Sequence, residues 1–166
     1  MSLFAKKDVI LHLENTTKNM GRIMAIDYGR KRTGLAVTDE LQLIATGLTT
    51  VETHKLMPFL DDYLKKETVD RFVVGEAKHL DNTPSESAQY IEPFVAELGK
   101  RHPAIPVERI DERFTSKMAF QAMIDGGLSR KQRQNKALID TVSAVLILQN
   151  FMQKREFEKN RKNSDQ

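Results

Sequence analysis

The chain has 166 residues, 40% of them hydrophobic and 30% charged, with 26 Lys and Arg against 23 Asp and Glu. That length supports one sizeable core, so a duplicated two-domain architecture is excluded. The net charge of +3 divides as +1 in residues 1 to 20, zero in 21 to 150 with 18 charges of each sign, and +2 in 151 to 166, which excludes a polycationic protein and confines any nucleic-acid contact to a local patch.

The chain has no Cys, so there is no disulfide framework, zinc thiolate site or cysteine nucleophile, which fits a reducing compartment. His12, His54, His79 and His102 lie far apart, which excludes a zinc site built from sequence-adjacent ligands. The longest apolar run, Ala144 to Leu148, is far short of the roughly 18 residues needed to span a bilayer. Lys6, Lys7 and Asp8 are followed only by Val9 to Leu11, too short for a signal peptide. These features predict a cytoplasmic chain without membrane contact.

Residues 1 to 20 form a polar extension, ending in Glu14 to Met20. The run Arg22 to Asp27 reads as the first strand, Tyr28 to Thr33 as a basic turn and Gly34 to Thr38 as its hairpin partner. Leu43 to Val51 completes a three-stranded meander. The period then changes: Leu56, Phe59, Leu60, Tyr63 and Leu64 recur at helical spacing, and Arg71 to Val74 reads as a strand buried on both faces. Thr83-Pro84-Ser85-Glu86 has capping-box spacing before the stripe Ile91, Phe94, Val95 and Leu98, with Pro93 predicting a kink or a late start. A strand over Ile105 to Ile110, a helix over Ser116 to Ile124 closed by Gly126-Gly127, and a long helix over Asn135 to Met152 complete a domain over 21–152. Residues 153 to 166 make a charged tail.

This order predicts an α/β fold with a mixed five-stranded sheet flanked by helices. Right-handed crossovers place the strands ending at Val74 and Ile110 parallel to and beside the first. Asp27, Glu76 and the pair Asp111-Glu112 then share the carboxyl edge of the sheet, where open α/β folds put their sites. Adjacent strand residues point to opposite faces, so regular geometry brings at most one of Asp111 and Glu112 to that site; the longer Glu112 is favoured, and Glu76 stays an alternative. Asp140 lies in the apolar stretch Ala137 to Leu148, where an unpaired carboxylate is costly. It therefore faces a wet cleft, a metal or a partner, with Lys136 available for an i, i+4 ion pair.

Several acidic oxygens without Cys or paired His form a hard-ligand set suited to Mg²⁺ or Mn²⁺. Such ions, held by Asp27, Glu112 and Asp140, would serve hydrolysis of a phosphodiester. Arg30, Lys31 and Arg32 in the hairpin turn, with Arg113 beside the acid pair and Arg130, Lys131, Arg133 and Lys136 before the last helix, are candidates for binding nucleic-acid phosphates without reading sequence.

The stretches Ala25 to Ala36, Val73 to Gly75, Asp111 to Ser116 and Ile139 to Leu148 together resemble the YqgF family, bacterial proteins described as Holliday-junction-resolvase-like and as pre-16S rRNA nucleases. The resemblance covers Gly21 to Met152 and implies an RNase H-like fold, with Asp27, Asp140 and the acid of Asp111-Glu112 as catalytic carboxylates. It implies a nuclease that matures the 5′ end of small-subunit rRNA, with structured RNA or branched DNA as substrate and the small ribosomal subunit as partner. Where the family reads Val-Gly-Leu-Pro, this chain has Val74-Gly75-Glu76-Ala77. A non-catalytic nucleic-acid-binding or ribosome-binding protein is the other class. The segment Asp27 to Gly34 also looks like the phosphate loop of actin-type ATPases, which need two such domains.

Overall fold

A computed structural model describes residues 21–76, 78, 79, 81, 83–112 and 115–165, the side chains of 115 and 116 excepted. The polar extension 1–20 and Arg113 lie outside the described residues. The meander is β1 (Arg22–Tyr28), β2 (Arg32–Thr38) and β3 (Ala45–Glu52); then come α1 (Leu56–Lys66), β4 (Val69–Glu76), α2 (Ala88–Arg101) and β5 (Val107–Asp111). The chain ends in α3 (Thr115–Asp125), the single turn α4 (Arg130–Arg133) and α5 (Lys136–Ser164).

The sheet order is β3-β2-β1-β4-β5. β2 runs antiparallel to both β1 and β3, while β1, β4 and β5 are parallel, with Ile26 beside Val74 and Glu76 beside Asp111. This mixed five-stranded sheet flanked by helices is the RNase H-like arrangement. Strand alternation sorts the apolar residues into two layers. Met24, Ile26, Leu35, Phe72 and Val74 pack with Leu56 and Leu60 of α1 and Ile91, Phe94 and Leu98 of α2. Ile23, Ala25, Ala36 and Val73 pack with Ala144, Ile147, Leu148 and Phe151 of α5.

Three boundaries differ from the sequence reading, each for a local reason. Pro84 is extended and bridges Lys78, so the segment with capping-box spacing opens no helix; α2 starts later, after Ser87, and keeps Pro93 inside it. β5 begins at Val107 because a turn at Ile105, whose N–H donates to the His102 carbonyl, precedes it. The last helix is capped by Asn135, whose side chain accepts from the Leu138 N–H at 3.3 Å, and it continues through the charged tail to Ser164. Residues 153 to 164 contain no Gly or Pro and are rich in Lys, Arg and Glu, which favour helix. Gly126-Gly127 does close α3: Gly126 donates to the Ala122 carbonyl and Gly127 takes φ +78. Among the described residues no helix is long and apolar enough to cross a membrane.

Candidate active site

The site is built where the parallel strands end, on the face that α5 covers. Asp27 follows Ile23 and Ala25 in the alternation of β1 and so points to the α5 side, directly opposite Gly34 of β2. Gly34 carries no side chain, and a Cβ added there would run into the backbone carbonyl of Asp140. α5 can therefore rest its backbone on β2, which puts the Asp140 carboxylate within electrostatic reach of Asp27. Gly75 plays the same part in β4: a Cβ there would collide with the carboxylate of Glu112, which lies across it. Glu112 comes one residue after β5 ends, in phase with Ile110, and its N–H donates to the Glu76 carbonyl at 3.2 Å.

Three carboxylates thus meet from β1, the end of β5 and the second turn of α5. Burial pushes the Asp27 carboxyl well above its ordinary range, and the charges of Glu112 and Asp140 and a hydrogen bond to Glu112 push it further. Glu112 is also raised, mainly by burial, against the pull of the Asp27 hydrogen bond and the Arg109 charge. The two carboxyls therefore favour holding a proton between them over ionising together. Asp140 is held differently, accepting from Arg32 Nε at 2.9 Å in an ion pair with Arg32 rather than with Lys136. Among the described residues no group of three or more His, Cys, Asp or Glu side chains is arranged to hold a metal ion.

The other sequence candidates are distributed as follows. Glu76 and Asp111 are register partners in phase with Val74 and Arg109, on the face away from Asp27. Glu76 pairs with Lys78 at 3.2 Å. The structure thus brings Glu112 to Asp27 and leaves Glu76 and Asp111 on the far side. Arg30 lies over the Tyr90 ring, 5.9 Å from its centroid, while Lys31 is exposed and its carbonyl accepts from the Thr53 N–H. Arg130, Lys131 and Lys136 are exposed on and after α4, which is opened by the Ser129–Gln132 capping box. Arg133 is half-buried over Phe120. Sequence reasoning missed the space-making role of Gly34 and Gly75 and the Arg32–Asp140 pair. Carrying the hairpin register through the turn would have set Gly34 opposite Asp27.

The pattern of one family, described as "RuvX: Holliday junction resolvase", matches residues 21–154. The chain belongs to the RuvX family. The YqgF-type resemblance in the sequence is that family. A RuvX-family relative from Christiangramia forsetii is 59% identical over 133 residues, covering 80% of this chain and 98% of its own, and one from Phocaeicola vulgatus is 56% identical over 138 residues, covering 83% and 99%. Both carry the name "Putative pre-16S rRNA nuclease". Among solved structures, T. thermophilus RuvC in complex with Holliday junction substrate is similar with a TM-score of 0.49 and 18% identity, over 82% of this chain and 96% of that one. The RuvX match excludes residues 1–20 and stops two residues into the charged extension of α5.

Proposed function

We propose that this RuvX-family chain is a divalent-metal-dependent endonuclease, working in the cytoplasm, that hydrolyses a phosphodiester of precursor small-subunit rRNA during 5′-end maturation. The observation that carries the reading is the meeting of Asp27, Glu112 and Asp140 on the α5 face, in a relative of proteins named for that activity. A site that concentrates three acids, one carrying a proton and one balanced by a guanidinium, has the charge and oxygen donors that Mg²⁺ or Mn²⁺ takes. The two glycines let the acids come together, Gly34 admitting the backbone of Asp140 and Gly75 the carboxylate of Glu112. Bound there by Asp27, Glu112 and Asp140, such an ion supplies Lewis-acid stabilisation and an activated water.

The chain's own residues do the rest. Asp27 and Glu112 give up the proton they share when they become ligands, and the low polarity that raises their affinity for that proton also strengthens their hold on a cation. The exposed Lys31, Arg130, Lys131 and Lys136 hold flanking phosphates, as does Arg113, which follows Glu112 in the sequence. Branched DNA is the competing substrate, favoured by the description of the family itself.

Cleavage of a precursor rRNA fragment and of a four-way DNA junction, each with Mg²⁺, with Mn²⁺ and in chelator, tests the reading. Cutting of the RNA alone, abolished in chelator and in Asp27→Asn and Asp140→Asn, is expected. Full activity in chelator would remove the metal, and cutting of the junction alone would replace the substrate. Changing Arg130, Lys131 and Arg133 to Ala should lower the log-log salt slope of binding by about one for each phosphate that the variant no longer neutralises.

A further inference from the structure

One concave surface, on the side of the sheet away from the acids, is unused by this chemistry. Asp27 faces α5, but the next residue, Tyr28, turns to the opposite side of the sheet and begins an aromatic row. Its ring stacks on Phe94 with centroids 4.2 Å apart at 15°, and Tyr90 lies 6.2 Å away at 39°. Phe94 is buried in the core, so the row runs from the fixed interior to a cleft of about 550 Å³ lined by Arg30, Glu86, Ser87, Gln89 and Tyr90. Tyr90 is held in place there, because its hydroxyl donates to Ser87 Oγ at 3.1 Å. Arg30 covers the ring, and among the described residues it has no carboxylate partner. Glu86 and Gln89 stand exposed at the rim.

We infer that this cleft is a nucleobase subsite: an unpaired guanine of the bound strand stacks on Tyr90 and is read by Glu86 and Gln89. A rigid, partly exposed aromatic ring with a guanidinium beside it is the platform on which single-stranded bases stack. The Arg30–Tyr90 contact is of the weak, exposed kind that a base can displace, freeing the guanidinium for a phosphate. The rim supplies the selectivity. A carboxylate only accepts, and guanine alone offers two neighbouring donors, N1–H and N2–H, on its pairing edge; the Gln89 amide can donate to O6 beside them. The inference rests on the nuclease reading and adds to it a requirement for an unpaired base in the substrate.

Anisotropy of labelled RNA hairpins, bound to the full chain in chelator so that no strand is cut, tests this. Each hairpin carries a short uridine overhang with one position set to G, A, C or U. Guanine should bind about tenfold more tightly than uracil, Tyr90→Ala should erase the difference, and Tyr90→Phe should keep it. Glu86→Gln should reduce the margin of G over A while both still exceed U. If Tyr90→Ala fails to fold, the exposed Glu86→Gln and Gln89→Ala variants must each cut the guanine margin. Equal affinity for the four hairpins, or a guanine preference that survives Tyr90→Ala, overturns the subsite and leaves the nuclease reading standing. Failure to bind any hairpin overturns both.

Discussion

The two faces of the sheet follow different packing rules. Towards α1 and α2 the strands present Met24, Ile26, Leu35, Phe72 and Val74, side chains large enough to hold the helices a full layer away. Towards α5 they present Ile23 and Val73 as well, but also Ala25, Asp27, Gly34, Ala36 and Gly75, and at Gly34 the lack of bulk lets backbone meet backbone at Asp140. The first face buries area and gives stability. The second buries an apolar layer of its own and gives up bulk only at its glycines, where three acids from distant elements approach one another. Both faces thus carry core while the acids gather on one of them, and strand alternation sets which residues fall on which face.

The comparison breaks most visibly at Phe72. Phe72→Ala should cost about 3–5 kcal/mol in denaturant unfolding, as for a fully buried aromatic, while the folded protein keeps its calorimetric Mn²⁺ affinity. A loss of that affinity would mean that the faces are not independent. Gly34→Ala tests the other side: a methyl group where α5 touches β2 should cost about 1–3 kcal/mol, displace Asp140 from Asp27 and abolish cleavage. Wild-type cutting by that variant would show that close approach is not what assembles the acids.

Acidity sharpens the same contrast. Asp27 and Glu112 have folded-state values above their unfolded ones, so their protonated forms are the ones folding favours. Without metal, the stability they lend is complete below the ordinary carboxyl range near pH 4, and it is lost as pH rises through the raised folded values. Melting temperature measured against pH in chelator should fall across that window. It should fall less in Asp27→Asn, which should melt higher than wild type at neutral pH although it cannot cut. Phe72→Ala should keep the wild-type slope. The smallest effect belongs to Arg32→Ala. Its ion pair is partly exposed, so thermal stability should change by no more than about 1 kcal/mol, and Mn²⁺ titration should show tighter binding once the competing guanidinium is gone.

Much of this is legible in the sequence because apolar runs and their periods are local properties. The meander, the buried strand ending at Val74 and the helix around Asp140 can all be read that way, and a carboxylate inside Ala137 to Leu148 announces itself by its cost. The choice among Glu76, Asp111 and Glu112 is harder, since a one-residue change in phase swaps faces and the phase depends on the pairing of β4 with β5. The start of α2 is misread because capping-box spacing does not reveal that Pro84 is engaged in a bridge. The partner of Asp140 cannot be read at all: nearness along the helix suggests Lys136, whereas the sheet delivers Arg32.

The ion pair between Arg32 and Asp140 closes a loop of 108 residues, and α5, which carries Asp140, is the last element of the domain. During synthesis the strands that hold Asp27 emerge first, and Ile23, Ala25, Ala36 and Val73 stay uncovered until α5 arrives. A growing chain therefore passes through a sticky interval in which half its core is open and its acids are unassembled. The final helix ends both conditions in one event, closing the core and bringing Asp140 to the other acids.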